Sequence, residues 1–375
     1  LIAGTGLQIS VLVFTTRSNI KAMTVMTRTH LPTLDLARFD ADSAEREAFL
    51  TNVRETAHEM GFFYVENHGV DAQLIQQVQL LARQFFALPE ANKREIQMVH
   101  SPHFRGYNQM GNERTRGQRD WREQVDIGAE REALPHNPNA PAWTRLRGPN
   151  QWPTALPELR EVVLRYQAEA SKLAIRILEI FATALGQPAH AFEQIYVPEP
   201  HYLLKIIRYP GRDLTESDQG VGAHKDSGFL TVLLQDDQPG LQVEHDGQWI
   251  DAMPVPGTFV INVGEVLELA SAGYLRANVH RVITPPAGHE RLSVPFFFGA
   301  RLDATVPVLQ LPPELAAQTH GVTVDPQNPL FHDVGRNHLK SRLRSHLDVA
   351  LRHHPDLLDE QQLAAAKAQV AGMAY

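Results

Sequence analysis

The chain predicts a mainly β fold with added α: a β-sandwich or barrel core, a helical region before it and helices after it. Two features predict this. From His201 onward, short β-like runs alternate with Gly, Pro and Asp turns, the spacing of a sandwich or barrel and not of βαβ units. Before His201, long stretches carry apolar residues at helical spacing. There is no internal repeat and no low-complexity tract.

The elements follow in order. Leu31–Leu36 reads as a short entry strand. Residues 43–60 form a helix that opens at Asp42 or Ser43 and closes before Gly61. Phe62–Val65 is a buried strand closed by Asn67-His68-Gly69. Residues 71–87 make a second amphipathic helix, stopped near Pro89. Residues 100–155, rich in Gly, Pro, Asn and Arg, read as irregular with short elements, able to cover a pocket mouth. A long helix spans 157–185 and ends near Gly186. The strand runs are Leu203–Ile207, Thr231–Gln235, Gly240–Glu244, Thr258–Asn262, His280–Ile283 and Ser293–Phe298. Residues 336–350 and 360–370 turn helical again. The layout divides into an N-terminal region (30–155), a helix plus β core (156–350) and a helical tail (351–375), the first two forming one compact unit.

Residues 1–22 stand apart. Leu1–Phe14 is apolar but too short to span a bilayer, and no basic segment or clear small-residue cleavage site frames it. Met23 or Met26 would serve as a start, leaving 1–22 as a leader or non-native extension; the alternative is an extra N-terminal strand or arm.

With 375 residues the chain can bury a sizeable core. Its net charge of -8 gives no electrostatic ground for nucleic acid or an anionic membrane as partner. No transmembrane stretch is evident, and a cytoplasmic protein is expected. Cys is absent, which excludes disulfides and thiolate metal sites. The positively charged segment Asn337–His346 reads as a solvated helix near the pocket rim, too short and isolated for a nucleic-acid patch.

The chemistry concentrates in His224-Lys225-Asp226 and in His280, 54 positions beyond Asp226. Residues i and i+2 of a strand share a face, so His224 and Asp226 can reach one metal from a strand end. His280 can return on another strand. Two imidazoles and a carboxylate occupy one face of an octahedron and leave the other open, the arrangement of non-haem Fe(II) oxygenases. Arg291 and Ser293 share a strand face in the same way. A guanidinium fork and a hydroxyl suit a carboxylate held near the metal; taken alone, they would be an ordinary surface ion pair and a turn hydroxyl.

These residues match a family. His224–Asp236, Pro239–Val243, Val260–Gly264, His280–Val282 and Arg291-Leu292-Ser293 resemble the isopenicillin N synthase-like branch of the 2-oxoglutarate- and Fe(II)-dependent oxygenases. So do Gly61-Phe62-Phe63, Asn67-His68-Gly69, Arg105-Gly106-Tyr107 and Gly148–Pro153 in the N-terminal half. The resemblance covers roughly 30–350 and implies a distorted double-stranded β-helix, or jelly roll, behind a helical N-terminal region. It implies Fe(II) on His224, Asp226 and His280, and 2-oxoglutarate held by Arg291, Ser293 and Tyr209, with O2 as oxidant and ascorbate as an optional stimulant. It also implies oxidative decarboxylation coupled to hydroxylation, desaturation or cyclisation of a small organic substrate.

Two departures stand out. Ile207 occupies a position where plant members frequently carry Asn, so one polar contact to the co-substrate is missing or replaced. Residues 267–271 lack a Trp common there. Other readings are an oxidase of the isopenicillin N synthase or aminocyclopropane-carboxylate oxidase type, which needs no 2-oxoglutarate, and a non-catalytic binding or sensor protein. Candidate substrate contacts are Arg105, Tyr107, Arg122, Phe229, Phe296 and Phe298, the phenylalanines reading equally as plain core. Asp120 and Glu123 look like scaffold, Lys225 should point away from the metal, and the oligomeric state is not legible.

Overall fold

A computed structural model describes residues 30–135, 137–322 and 328–371; the proposed leader, 1–22, lies outside the described residues. Strand β1 (Thr33–Asp35) leads into helix α1 (Ser43–Glu59). The Asp42 carboxylate caps α1 by accepting from the amides of Ala44 and Glu45, both at 3.1 Å. Phe49, Val53 and Ala57, one turn apart, form its buried stripe. β2 (Phe62–Glu66) is buried until its last residue. Helix α2 (Ala72–Ala87), capped by Asp71, buries Leu74, Val78, Leu81 and Phe85.

Next come α3 (Glu90–Arg94), β3 (Gly106–Asn108), the hairpin of β4 (Arg114–Thr115) and β5 (Gln118–Arg119), and β6 (Glu123–Gly128). Helix α4 (Glu158–Ala184) runs 27 residues and α5 (Glu193–Tyr196) is short. The second half brings β7 (His201–Tyr209), β8 (Gln219–His224), β9 (Leu230–Gln235), β10 (Leu241–His245), β11 (Gln248–Asp251) and β12 (Phe259–Val263). Helix α6 (Glu265–Ala270), β13 (His280–Ile283), β14 (Arg291–Gly299) and α7 (Pro313–Ala316) follow, and then α8 (Val334–Ser345), α9 (Leu347–His353) and α10 (Glu360–Val370).

Two sheets carry the fold. The larger has the order β1-β2-β12-β9-β14-β7-β6-β3, the smaller β11-β10-β13-β8. One face of the large sheet packs on helices: Val125, Ile127, Leu204, Ile206, Val232, Val294 and Phe296 share a core with residues of α1, α2 and α4. Its other face meets the small sheet, where Phe62, Tyr64, Ile207, Leu233 and Val260 cluster with Val221, Leu241, Val243 and Val282. The result is a mixed α/β layering of helices, large sheet and small sheet. Each buried aliphatic side chain contributes roughly 1.5–3 kcal/mol.

Two sequence expectations change and one is sharpened. Among the short elements of the irregular region is β6, all six of whose residues are buried. Apolar Val125 and Ile127 alternate with polar Gln124 and Asp126, the pattern of a strand with one face in water, yet here both faces are buried. The helix expected over 336–350 is two helices joined at His346, whose φ of -129° leaves the helical range. And α8 is not a solvated helix, because Arg342 reaches the buried Asp126 carboxylate at 2.7 Å and Val334, Asn337 and Leu339 are buried.

Candidate metal centre and a buried guanidinium

His224 is the last residue of β8 and His280 the first of β13, and the two are direct partners in the antiparallel ladder. Their ring centroids lie 4.3 Å apart. The chain turns after β8 and brings Asp226 Oδ1 to 3.6 Å from His224 Nε2 and 3.7 Å from His280 Nε2. One ligand atom from each residue lies within 4.8 Å of the others, so the three can hold one ion. The close approach of Thr115 to β8 requires Gly222, where a Cβ would stand 2.7 Å from the Thr115 side chain.

Surrounding groups aim the ligands. His224 Nδ1 lies 2.8 Å from the Gly222 carbonyl and His280 Nδ1 3.3 Å from that of Asn278, which turns both Nε2 atoms toward Asp226. Asp226 Oδ2 accepts from the Thr231 hydroxyl at 2.5 Å and from Asn262 Nδ2 at 2.7 Å, leaving Oδ1 for a metal. Burial alone would raise the Asp226 carboxyl, but the charges of His280 and His224 and the Thr231 hydroxyl hold it well below the carboxylate range. Burial, helped by His224, pulls His280 down to about 4. Burial also opposes the charged form of His224, yet its bond to Asp226 outweighs this and raises it.

Arg291 opens β14, opposite Tyr209 in the ladder, and is fully buried. Its Nη2 donates to Gln235 Oε1 at 2.8 Å, and its guanidinium carbon sits 5.1 Å from the Tyr209 ring centre. Nε and Nη1 have no partner among the described residues. A buried guanidinium with free donors is costly, and a carboxylate would satisfy it. Ser293 pairs with Ile207 and with Gln235 on the strands either side. Gln235 and Thr231 are four residues apart on one face of β9, about 13 Å, which leaves room for a small dicarboxylate between the metal site and Arg291. The residues present therefore fit both Fe(II) and a dicarboxylate co-substrate.

The other candidates divide. Arg122 pairs with Glu113 and lies 3.7 Å from Asp120, which in turn accepts from the Gly222 amide at 3.1 Å beside the metal site. Arg105 is buried against Gly128. Tyr107, Phe229, Phe296 and Phe298 are not brought to the triad. They lie in the core shared with the helices, Tyr107 donating to Glu123 at 2.6 Å and Phe229 packing 6.2 Å from Phe192. Strand parity is the reason: with Arg291 and Ser293 facing the small sheet, Phe296 and Phe298 face the helices. The aromatic on the inner face is Phe297, paired with Thr231 and Leu203 and only half-buried, and parity could have found it. Lys225 points away from the triad, 3.4 Å from Glu268, in a groove of about 350 Å³ that also touches Glu244 and Arg276.

The comparisons agree with this geometry. Residues 31–155 match the family model for the N-terminal region of the non-haem dioxygenases in morphine synthesis, and residues 198–300 match that of the 2OG-Fe(II) oxygenase superfamily. The 2-oxoglutarate-dependent dioxygenase frbJ of Dothideomycetidae sp. is 36 % identical over 88 % of this chain and 93 % of its own. Homoarginine-6-hydroxylase 2-ODD-C23.1 of Arabidopsis thaliana is 34 % identical over 75 % of this chain and 88 % of its own. Among solved structures, the dioxygenase for auxin oxidation in rice is 28 % identical with a TM-score of 0.60, over 84 % of this chain and 95 % of its own. Fold and site thus define a non-haem iron enzyme. The chain belongs to the 2OG-Fe(II) oxygenase superfamily: it is a 2-oxoglutarate- and Fe(II)-dependent dioxygenase that oxidises a small organic substrate. No described helix is long and apolar enough to cross a membrane.

Proposed function

We propose that this enzyme belongs to the isopenicillin N synthase-like branch and hydroxylates a small polar molecule, with its two sheets closing as a distorted double-stranded β-helix. His224, Asp226 and His280 are the iron ligands in this reading, and Arg291, Ser293 and Tyr209 hold the distal carboxylate of 2-oxoglutarate. The observation that carries it is the fully buried Arg291, whose Nε and Nη1 have no partner among the described residues. When bound, iron and 2-oxoglutarate together supply the oxidation of an unactivated C–H bond by O2.

The chain's own residues do the rest. Arg291 fixes the co-substrate's far end and Gln235 fixes Arg291. Thr231 and Asn262 keep Asp226 anionic and aimed. The apolar contact of the two sheets excludes bulk water from one side of the site. Homoarginine hydroxylases among the relatives favour hydroxylation of a charged, amino-acid-sized substrate over desaturation or cyclisation of an apolar one.

The test is turnover of 2-oxoglutarate with added Fe(II) and O2, with and without ascorbate, against a panel of amino acids and small acids. Succinate should form in step with a hydroxylated product. His224→Ala should abolish both, and retained turnover in that variant would overturn the assignment.

A further inference from the structure

We propose that the organic substrate carries an oxyanion, such as a carboxylate, and that Arg105 receives it beside Gly128 of β6, on the face of the large sheet that carries Thr231 and Phe297. The proposal rests on the oxygenase reading above and names its substrate class. Arg105 is 3 % exposed. Its Nη2 donates to the Leu146 carbonyl at 3.2 Å and its Nε has no partner. Among the described residues it makes no ion pair, whereas the cations around it do. Glu113 takes Arg122 and Lys205, the latter at 3.2 Å. Asp126 takes Lys205 at 3.2 Å and Arg342 at 2.7 Å. Asp126 and Glu130 attract Arg105 without contacting it, and burial with the charges of Arg342 and Arg131 still outweighs them, so the guanidinium lacks a direct carboxylate partner, a state that a bound anion relieves.

Its position fits a substrate pole. The guanidinium lies against Gly128, where a Cβ would stand 2.3 Å from Nη2. Gly128 is level with Leu203 on β7, Leu203 with Phe297 on β14, and Phe297 with Thr231 on β9. Thr231 bonds the metal ligand Asp226. Three strand spacings, about 14 Å, therefore separate the two ends of this row, with Phe297 between them. The surroundings are electropositive as well: burial, with Arg105 and Arg342, holds His201 and His338 neutral.

The test uses the full chain loaded anaerobically with Fe(II) and 2-oxoglutarate, and two matched probe pairs: L-homoarginine against its carboxamide, and indole-3-acetate against indole-3-acetamide. Binding is read from the change in the visible absorption of the loaded enzyme. In the wild type at least one acid should bind about tenfold tighter than its amide, and chloride should weaken the acid but not the amide. Arg105→Lys should keep the preference and Arg105→Gln should lose it. No preference in the wild type, or an undiminished preference in Arg105→Gln, overturns the proposal. Should Arg105→Gln fail to fold, the wild-type acid–amide and chloride comparisons decide alone. Succinate release by the wild type tests the oxygenase reading separately, so turnover without acid preference sinks only the anion site.

Discussion

Gln235→Leu should weaken 2-oxoglutarate binding although Gln235 need not touch it. The Gln235 amide nitrogen donates to the Ala252 carbonyl at 3.2 Å, which fixes the amide so that Oε1 accepts from Arg291 Nη2 at 2.8 Å. Leucine keeps the bulk and removes the acceptor. A hydrogen bond to a charged group contributes roughly 1.5–3 kcal/mol. If that energy serves to orient the guanidinium, the KM for 2-oxoglutarate should rise by about one to two orders of magnitude, with a smaller change in kcat. Gln235→Glu, whose carboxylate would itself pair with Arg291 and repel the co-substrate, should not restore the affinity. The assay is succinate formation against 2-oxoglutarate concentration, with urea unfolding of each variant to remove any global loss of stability. A KM within twofold of wild type in Gln235→Leu would refute the reasoning.

Three further predictions follow from the same geometry. Thr231→Val should lower Fe(II) affinity on the order of tenfold or more, because Asp226 loses its shortest partner; anaerobic iron titration checks it. Phe296→Ala should cost about 3–5 kcal/mol of stability by opening the helix-side core, whereas Phe297→Ala should act mainly on substrate KM; unfolding and kinetics separate the two. Burial holds His346 down at about 4. Its folded-state value lies below the unfolded one, so the unfolded chain takes the proton first as pH falls. Stability should be full above about pH 6.5 and decline toward pH 4 by roughly 1.4 kcal/mol per pH unit, and His346→Gln should flatten that slope in denaturant titrations at stepped pH.

Elements with a strong local code were legible in the sequence. α1, α2 and α4 combine a cap or breaker with a continuous apolar stripe, and their ends lie within about two residues of expectation. The triad was legible because its chemistry needs a spacing, and a strand end supplies it. The groups that aim the ligands were not: Thr231 and Asn262 reach Asp226 only because β9 and β12 are neighbours in the sheet, a long-range pairing that no local pattern encodes.

The same reasoning explains why the burial of β6 and that of α8 were both illegible. An Asp in a strand and an Arg in a helix each look like surface residues when read singly. Asp126 and Arg342, 216 positions apart, are buried because each neutralises the other at 2.7 Å, with Lys205 and Glu113 extending the network. Such a network is costly to build and worse to leave half-satisfied, so a cation beside it with no direct carboxylate partner among the described residues carries information the paired ones do not. Arg105 is such a cation. The feature that hid the inner face of β6 from a sequence reading, charge placed where apolar residues were expected, is the one on which the proposed anion site rests.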